Sequence, residues 1–418
     1  MKTKRIQNGA LPRVALLFLM MTYGIAHSAG LPLGDPNYTG PSAPTIVLPD
    51  LSLPESKAFV HPGLLQRQAD IDFIRARLAA GEEPWTSALK AMIADPYCAK
   101  NRKLKIIPEI QVGTNSSGYL MADSSAAYGE ALLWCITGDK AYADKAIATL
   151  NAASSTLKAI VDPKKNDGQK LLAGFTGCKY ASAAELLVHY RQPDGSTANW
   201  APEDVEKCKQ MLNTVFYPQI ENFKPEFNGN WDASMFNTMM CIAVFCDDHA
   251  MFNRAVDYFL HGKGHGSISH YIYASGQTQE TVRDQGHVQL GLSALASACE
   301  IAWKQGLDLY GMADNRLAAG YEYTAKYNLG NEVETVDNVP AGTRGRGDFW
   351  PTYEIAYQHY AIEEGLPMPF TKQVLEKEKH RPEGLCLIAL PAWGTLTEYR
   401  GPAIEVAKSD TPTATANP

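Results

Sequence analysis

The chain has 418 residues, 45% of them hydrophobic, which is enough apolar material for one large core or two modest ones. Its formal net charge of −7 argues against a nucleic-acid partner, because phosphate contacts need clustered Lys and Arg. An acidic polymer is a workable ligand only if a locally basic groove lies inside the acidic envelope.

The first residues, "MKTKRIQNGALPR", carry Lys2, Lys4, Arg5 and Arg13, and are followed by the apolar run "VALLFLMMTYGIA" and then "AHSAG". A charged start, a short apolar run and small residues at a cut site read as a secretory signal over residues 1–29. The run is too short to span a bilayer. Cleavage near Ser28 or Ala29 removes four positive charges and no negative ones, taking −7 to −11. The expected product is periplasmic or secreted, with no membrane attachment once the signal is gone. Residues 30–58 are rich in Pro, Gly and Ser and read as an extended arm or linker. The end of the chain, 401–418, is low in complexity and reads as a disordered tail.

Between these, residues 59–400 are mostly helical in pattern. "LLQRQADIDFIRARLAAGEEPWTSALKAMIA" spaces its apolar residues by three and four, with Gly81 as a stop and Pro84 opening the next helix. "SSAAYGEALLWCITGDKAYADKAIATLNAAS" predicts two helices broken at Gly138-Asp139. "FNTMMCIAVFCDDHAMFNRAVDYFLHG" predicts two more, broken at Asp247-Asp248. A helix, a short turn and a returning helix, repeated, is an αα-hairpin array. Such an array closes into an all-α (α/α) toroid or stays an open solenoid. Strand-like alternation is scarce until "GLCLIALPAWGTLTEYR", which predicts a small β element near the C-terminus.

Eight cysteines, at positions 98, 135, 178, 208, 241, 246, 299 and 386, include no CxxC, and their spacings define no disulfide. Cys135, Cys241 and Cys299 fall in apolar helical patterns, as small hydrophobes do. Without HExxH or a Cys/His pair at ligand spacing, no metal and no cofactor is expected.

Four stretches are polar where a core helix would not be. In "QETVRDQGHVQLGL", a continuous helix puts Glu280, Arg283 and His287 on one face, while Val288, Leu292, Leu295 and Cys299 mark its core stripe. The plainer reading is that Glu280 and Asp284 favour the helix N-terminus. In "NGNWDASMF", Asn228 reads as an N-cap, and Trp231 suits either a core or a sugar face. In "RGRGDFWPTYEIAYQHY", Pro351 starts a helix. Arg344 and Arg346 precede it, and guanidinium forks match carboxylates. Tyr353, Tyr357 and Tyr360 form a stripe that suits a core as well as a site. In "HGKGHGSISHYIY", Lys263, His265, His270, Tyr271 and Tyr273 make a locally basic loop.

Taken in order over residues 59–365, "HPGLLQRQADIDFIRARLAAGEEPW", "NGNWDASMF", "GQTQETVRDQGHVQLGL", "NRLAAGYEYTAKYN" and "WPTYEIAYQHY" resemble the alginate-lyase-like polysaccharide lyases. The likeness is strongest to the branch that includes bacterial glucuronan and mannuronan lyases. It implies an (α/α) toroid, secretion and cleavage of an anionic uronic-acid polymer by β-elimination. Such an enzyme neutralises the uronate carboxylate, removes H5 and protonates O4. Relatives open one helix with an Asn-His pair and carry a catalytic Tyr in an Arg-rich helix. Here Asn230 stands where that His would be, and the Arg283–His287 stretch lacks the Tyr. The resemblance therefore implies Asn230 and His287 as neutralisers, with His287 alternatively the base. Tyr353 is implied as base and acid, with Tyr271 and Tyr273 as the second choice, and Arg346 as its activator. Trp231, Arg283, Gln285, Arg344, Tyr271, Tyr273, His270 and Lys263 are implied in substrate binding. Two other readings compete. A hydrolase on the same toroid would need a carboxyl pair, such as Asp232 and Asp284. A non-catalytic glycan-binding protein would keep Trp231 and the basic loop.

Overall fold

The computed structural model describes residues 46–378 and 392–403. The expected signal, the first part of the expected arm, Cys386 and all but residues 401–403 of the expected tail lie outside the described residues. Ten helices follow one another up to the middle of the domain and beyond: α1 (Gln68–Ala79), α2 (Trp85–Ala94), α3 (Asn115–Thr137), α4 (Lys140–Thr156), α5 (Gly168–His189), α6 (Pro202–Met211), α7 (Gly229–Cys246), α8 (His249–His261), α9 (Gln285–Lys304) and α10 (Met312–Asn328). Two more, α11 (Tyr353–Tyr357) and α12 (Pro369–Glu378), follow, and single helical turns stand at Ile268–Tyr271 and Gly394–Thr397. Helix α6 runs on through a π turn, Leu212–Phe216, into a last turn, Tyr217–Ile220.

Helices α3, α5, α7 and α9 are buried on nearly every face, the mark of helices surrounded by protein. Neighbours in this series pack side by side, and α11 continues it. Helix α8 buries one stripe, Phe252, Val256 and Phe259 among it, and leaves its other face wet. Each inner helix turns back into an outer one, α3 into α4, α7 into α8 and α9 into α10. The result is an (α/α) toroid. Gly177 shows how tightly its inner ring is drawn: a Cβ there would lie 2.7 Å from Thr238 Cγ2 of α7.

Two turns follow directly from sequence. Gly138 ends α3 in the left-handed region (φ 73°), and Asp139 caps α4 by accepting from Ala141 N. Asp247 ends α7 at φ 58°, and Asp248 caps α8 by accepting from Met251 N. The segments at the two ends of the domain are packed against it. Residues 46–58 are extended, yet docked: Leu53 exchanges backbone hydrogen bonds with the Asn253 amide of α8 at 2.7 and 2.9 Å. The β element expected in residues 384–400 lies mostly outside the described residues; among those described, β1 (Glu109–Gln111) and β2 (Ala159–Val161) pair in parallel near the start of the domain. The described part of the C-terminal segment forms a helical turn, Gly394–Thr397, packed on α1, α2 and α11. Cys98, Cys135, Cys178, Cys208, Cys241, Cys246 and Cys299 are free thiols.

Because inner and outer helices alternate, the inner ones run the same way, and their N-termini share one face. Contacts confirm this in sequence. The β1–β2 pair sets the approach to α3 beside the approach to α5. Lys224 Nζ, ahead of α7, lies 3.0 Å from Asp167 Oδ2 at the start of α5. Asn230 of α7 reaches Glu280 ahead of α9. Gln285 N, opening α9, donates to Arg344 O in the loop before α11, at 2.9 Å. Five helix N-termini thus make one rim, and each presents partly unpaired N–H groups and a positive dipole end.

Candidate active site

The densest polar cluster on this rim lies where α7 meets α9. Asn230 is fully buried and donates Nδ2 to Glu280 Oε1 at 2.6 Å. Its backbone N–H reaches the other oxygen at 3.3 Å. Tyr271 OH donates to Glu280 Oε2 at 3.2 Å, and Arg283 pairs with Oε1 at 2.9 Å. A buried carboxylate is thus held by two side-chain amide or hydroxyl donors, a backbone N–H and a guanidinium, as burial of a charge demands. Gln279 ties the same turn to α7, donating to Asn228 Oδ1 and accepting from Gly229 N.

Asp284 carries the second half of the cluster. It is extended (φ −169°) and caps α9, accepting from His287 N at 3.0 Å. The same carboxylate accepts from His287 Nδ1 at 2.7 Å and from Arg344 at 2.6 Å, and Arg283 Nε lies 3.9 Å away. Burial works to raise the Asp284 carboxyl. The hydrogen bonds and charge of His287, with Arg344, outweigh it and hold the group well below the usual carboxylate range. His287 makes no other side-chain hydrogen bond among the described residues. With Nδ1–H given to Asp284, its Nε2 carries the lone pair in the neutral ring. Arg344 is largely exposed, while Arg283 and His287 are partly so.

The expected continuous helix through Arg283 and His287 is not formed. Helix α9 begins at Gln285, after a turn in which Arg283 N donates to Glu280 O. The capping carboxylate of Asp284 wins over helical spacing there. Arg283, His287 and Arg344 still converge, through Asp284 rather than through a shared helix face.

Other expected site residues sit elsewhere. Tyr353 is buried, and its OH donates to Gln289 Oε1 at 3.1 Å in the core, where burial pushes its hydroxyl far above the ordinary tyrosine range. That corrects its reading as base and acid. Arg346 lies 4.1 Å over the Tyr327 ring and donates to Tyr327 O and Asn331 O, so it anchors the loop to α10. Gln285 is buried, bonding Gly342 O and the Asn328 amide, so it holds the rim loop rather than a ligand. Tyr271 is buried beneath Glu280. His270 Nδ1 is bound within its own loop, to Ser267 Oγ and Gly262 O. Tyr273 is nearly buried, in a tight turn closed by its N–H to Gln277 O. Lys263 is exposed beside Gly264, which lies against Asp232 at the start of α7. Trp231 is half-buried and packs edge-on to Phe227, with centroids 4.7 Å apart.

The central carboxylate, Glu280, was visible in sequence only as one polar residue among five; its partner Asn230 is fifty positions away. Asp232, offered above as half of a hydrolase pair, is buried, accepting from Lys224 N at 2.7 Å and Tyr258 OH at 2.5 Å. Burial pushes it up to about 6.

A family model described as alginate lyase matches residues 105–335, more than half of the chain. The chain belongs to the alginate lyase family. As a member, it is an alginate-lyase-like polysaccharide lyase. No curated protein matches it. Among solved structures, an alginate lyase from Bacteroides ovatus is similar at TM-score 0.59 and 12% identity, covering 82% of this chain and 100% of that one. Alginate lyase A1-III from Sphingomonas species A1 gives 0.58 and 15%, covering 84% and 100%. A tyrosine-to-phenylalanine variant of A1-III, complexed with a tetrasaccharide, gives 0.60 and 15%, covering 84% and 99%. The matched residues of this alginate lyase family member include every side chain of the Asn230–Glu280–Asp284–His287 cluster; Arg344 joins from just beyond them.

Proposed function

We propose that this lyase is exported and cleaves a β-1,4-linked uronan, glucuronan or polymannuronate, by β-elimination at the His287–Asp284 pair. The observation that carries this is the His287 ring. Asp284 holds it through Nδ1, which leaves the lone pair of the neutral ring on Nε2, and the same carboxylate gathers Arg344 and, at 3.9 Å, Arg283 on a rim of helix N-termini.

The chemistry follows from the sugar. H5 of a uronate is weakly acidic while the adjacent carboxylate is charged. Arg283 and Arg344 neutralise that carboxylate and stabilise the enolate that develops when H5 leaves. Nε2 takes H5 as a proton. The C4–O4 bond then breaks, a C4=C5 double bond forms, and Nε2 returns its proton to O4. In D-glucuronate and D-mannuronate, H5 and O4 lie on the same ring face, so one group can do both transfers. Asp284 orients the ring and stabilises its charged form in between. Asn230 and Glu280 hold Arg283 from below, and Trp231 offers an apolar face to a neighbouring sugar. The anionic chain lies along the rim, where the helix dipoles and Lys224, Lys263, Arg283 and Arg344 give local positive potential within an acidic protein.

The test is to incubate the protein with glucuronan, polymannuronate, polyguluronate and hyaluronan and to follow ultraviolet absorbance of the unsaturated product. Absorbance should rise with glucuronan or polymannuronate. New reducing ends without absorbance would mean hydrolysis and would sink the elimination reading. Binding without products would leave a glycan-binding protein.

A further inference from the structure

The opposite face of the toroid carries a second cluster of chemistry-bearing side chains. Glu185 and His189 are the fifth-last and last residues of α5, one turn apart on one side of the helix. The docked N-terminal segment brings His61 to them, 124 positions away from Glu185 in sequence. His61 Nδ1 lies 2.8 Å from Glu185 Oε1, and His189 Nε2 lies 3.7 Å from Glu185 Oε2. The two imidazole rings stack at 4.2 Å. One ligand atom from each of the three residues falls within 4.8 Å of the others.

Several features exceed what a simple salt bridge needs. Glu185 is 1% exposed, and its Oε2 has no hydrogen-bond partner although it faces His189. A buried carboxylate oxygen without a donor is costly, and a cation between Glu185 and the two rings would satisfy it. Its other oxygen is fixed by Gly63 N at 3.1 Å. On the far side of the His61 ring, Nε2 lies 3.1 Å from Asp247 Oδ1, at the end of α7. A histidine that presents one nitrogen to a metal and donates the other N–H to a carboxylate is the usual outer-shell arrangement of a metal site.

We infer that His61, Glu185 and His189 bind one divalent transition-metal ion of the zinc class. Two imidazoles and one carboxylate are a three-ligand set that zinc accepts, with water in the fourth position. Oxygen-loving calcium and magnesium would not choose it. With bonds of about 2.1 Å, tetrahedral donors stand about 3.4 Å apart, so small rotamer shifts of the two partly exposed rings close the site. Binding displaces the proton on His61 Nδ1, which is released to solvent. The metal clamps the N-terminal segment onto the ends of α5 and α7, remote from the rim. Sequence spacing alone led to the expectation of no metal, because the third ligand comes from a distant segment.

The experiment uses untagged full-length protein, stripped with a chelator and dialysed, then titrated with Zn²⁺ by calorimetry and followed by thermal unfolding. One equivalent should bind, and the melting temperature should rise by several degrees at saturation, as ligand linkage requires. Calcium at the same concentrations should do neither. His189→Gln, at a partly exposed ring that the fold does not need, should weaken zinc binding at least tenfold while leaving the metal-free melting temperature and lyase activity unchanged. His61→Gln should do the same to binding. Absence of stoichiometric zinc binding would overturn the assignment. So would undiminished binding in both variants, or a preference for calcium.

Discussion

At the scale of single residues, the site turns on which nitrogen of His287 faces the sugar. The Asp284 carboxylate accepts from Nδ1 at 2.7 Å, so it fixes ring orientation and tautomer together. Replacing His287 with Gln keeps a polar side chain but removes proton transfer, and kcat should fall by about 10²–10⁴ with little change in melting temperature. A variant retaining more than a tenth of wild-type kcat would remove His287 from the reaction. Asp284→Asn should lower kcat as well. The amide oxygen can still cap α9, since Asn caps about as well as Asp, so any loss of stability comes from the charge removed beside Arg344 and His287. Tyr353→Phe gives the complementary result. Its hydroxyl donates to Gln289 Oε1, which also accepts from Trp350 N at 3.0 Å. The acceptor stays satisfied without it, so the loss should be about 0.5–1.5 kcal/mol of stability with near-normal turnover. A hundredfold loss of kcat in this variant would return Tyr353 to the mechanism.

At the scale of elements, the sequence was readable wherever the cause was local. The Gly138-Asp139 and Asp247-Asp248 breaks combine a helix stop with a cap for the next helix, and both occur. The start of α9 was misplaced for an equally local reason, since apolar spacing continues smoothly past an Asp that prefers to cap. The convergence of Asn230, Glu280 and Arg344 was not readable, because it depends on which loops the toroid brings to one rim. Nor does periodicity show which side chain Gly291 admits. A Cβ at Gly291 would lie 1.9 Å from the Tyr271 OH. Gly291→Ala should therefore push Tyr271 away from Glu280 and cost about 1–3 kcal/mol from overpacking, read as a lower urea midpoint. It should also lower kcat/KM, since Arg283 loses part of its support. An unchanged urea midpoint would show that the ring relocates without cost.

At the scale of the whole molecule, closure of the ring joins segments some 330 residues apart. Gln66 donates to Glu398, Arg400 reaches Asp70, and Lys304 sits between Asp70 and Glu300. None of this is visible in periodicity, because residues 66–70 and 398–400 meet only when the toroid is complete. Not every buried charge is so well matched. Glu130, in the middle of α3, is fully buried, and neither carboxylate oxygen has a hydrogen-bond partner.

Burial pushes the Glu130 carboxyl up to about 8, against the opposing charges of Arg102 and Lys145. Its unfolded value is about 4.3. Between these two values the folded protein binds the extra proton, so stability must fall as pH rises through that window. The contribution is complete below about pH 4.3 and gone above about pH 8. Glu130→Gln keeps the shape and the buried polarity but cannot ionise. At pH 4, below the unfolded value, the variant and the wild type should unfold at similar temperatures. At pH 8.5 the variant should be more stable, by an amount on the order of a few kcal/mol, since each pKa unit is worth about 1.4 kcal/mol. Melting curves of both proteins at the two pH values decide the matter. If the variant is less stable by the same margin at both, Glu130 is ionised in the fold, and the Arg102 and Lys145 charges outweigh its burial.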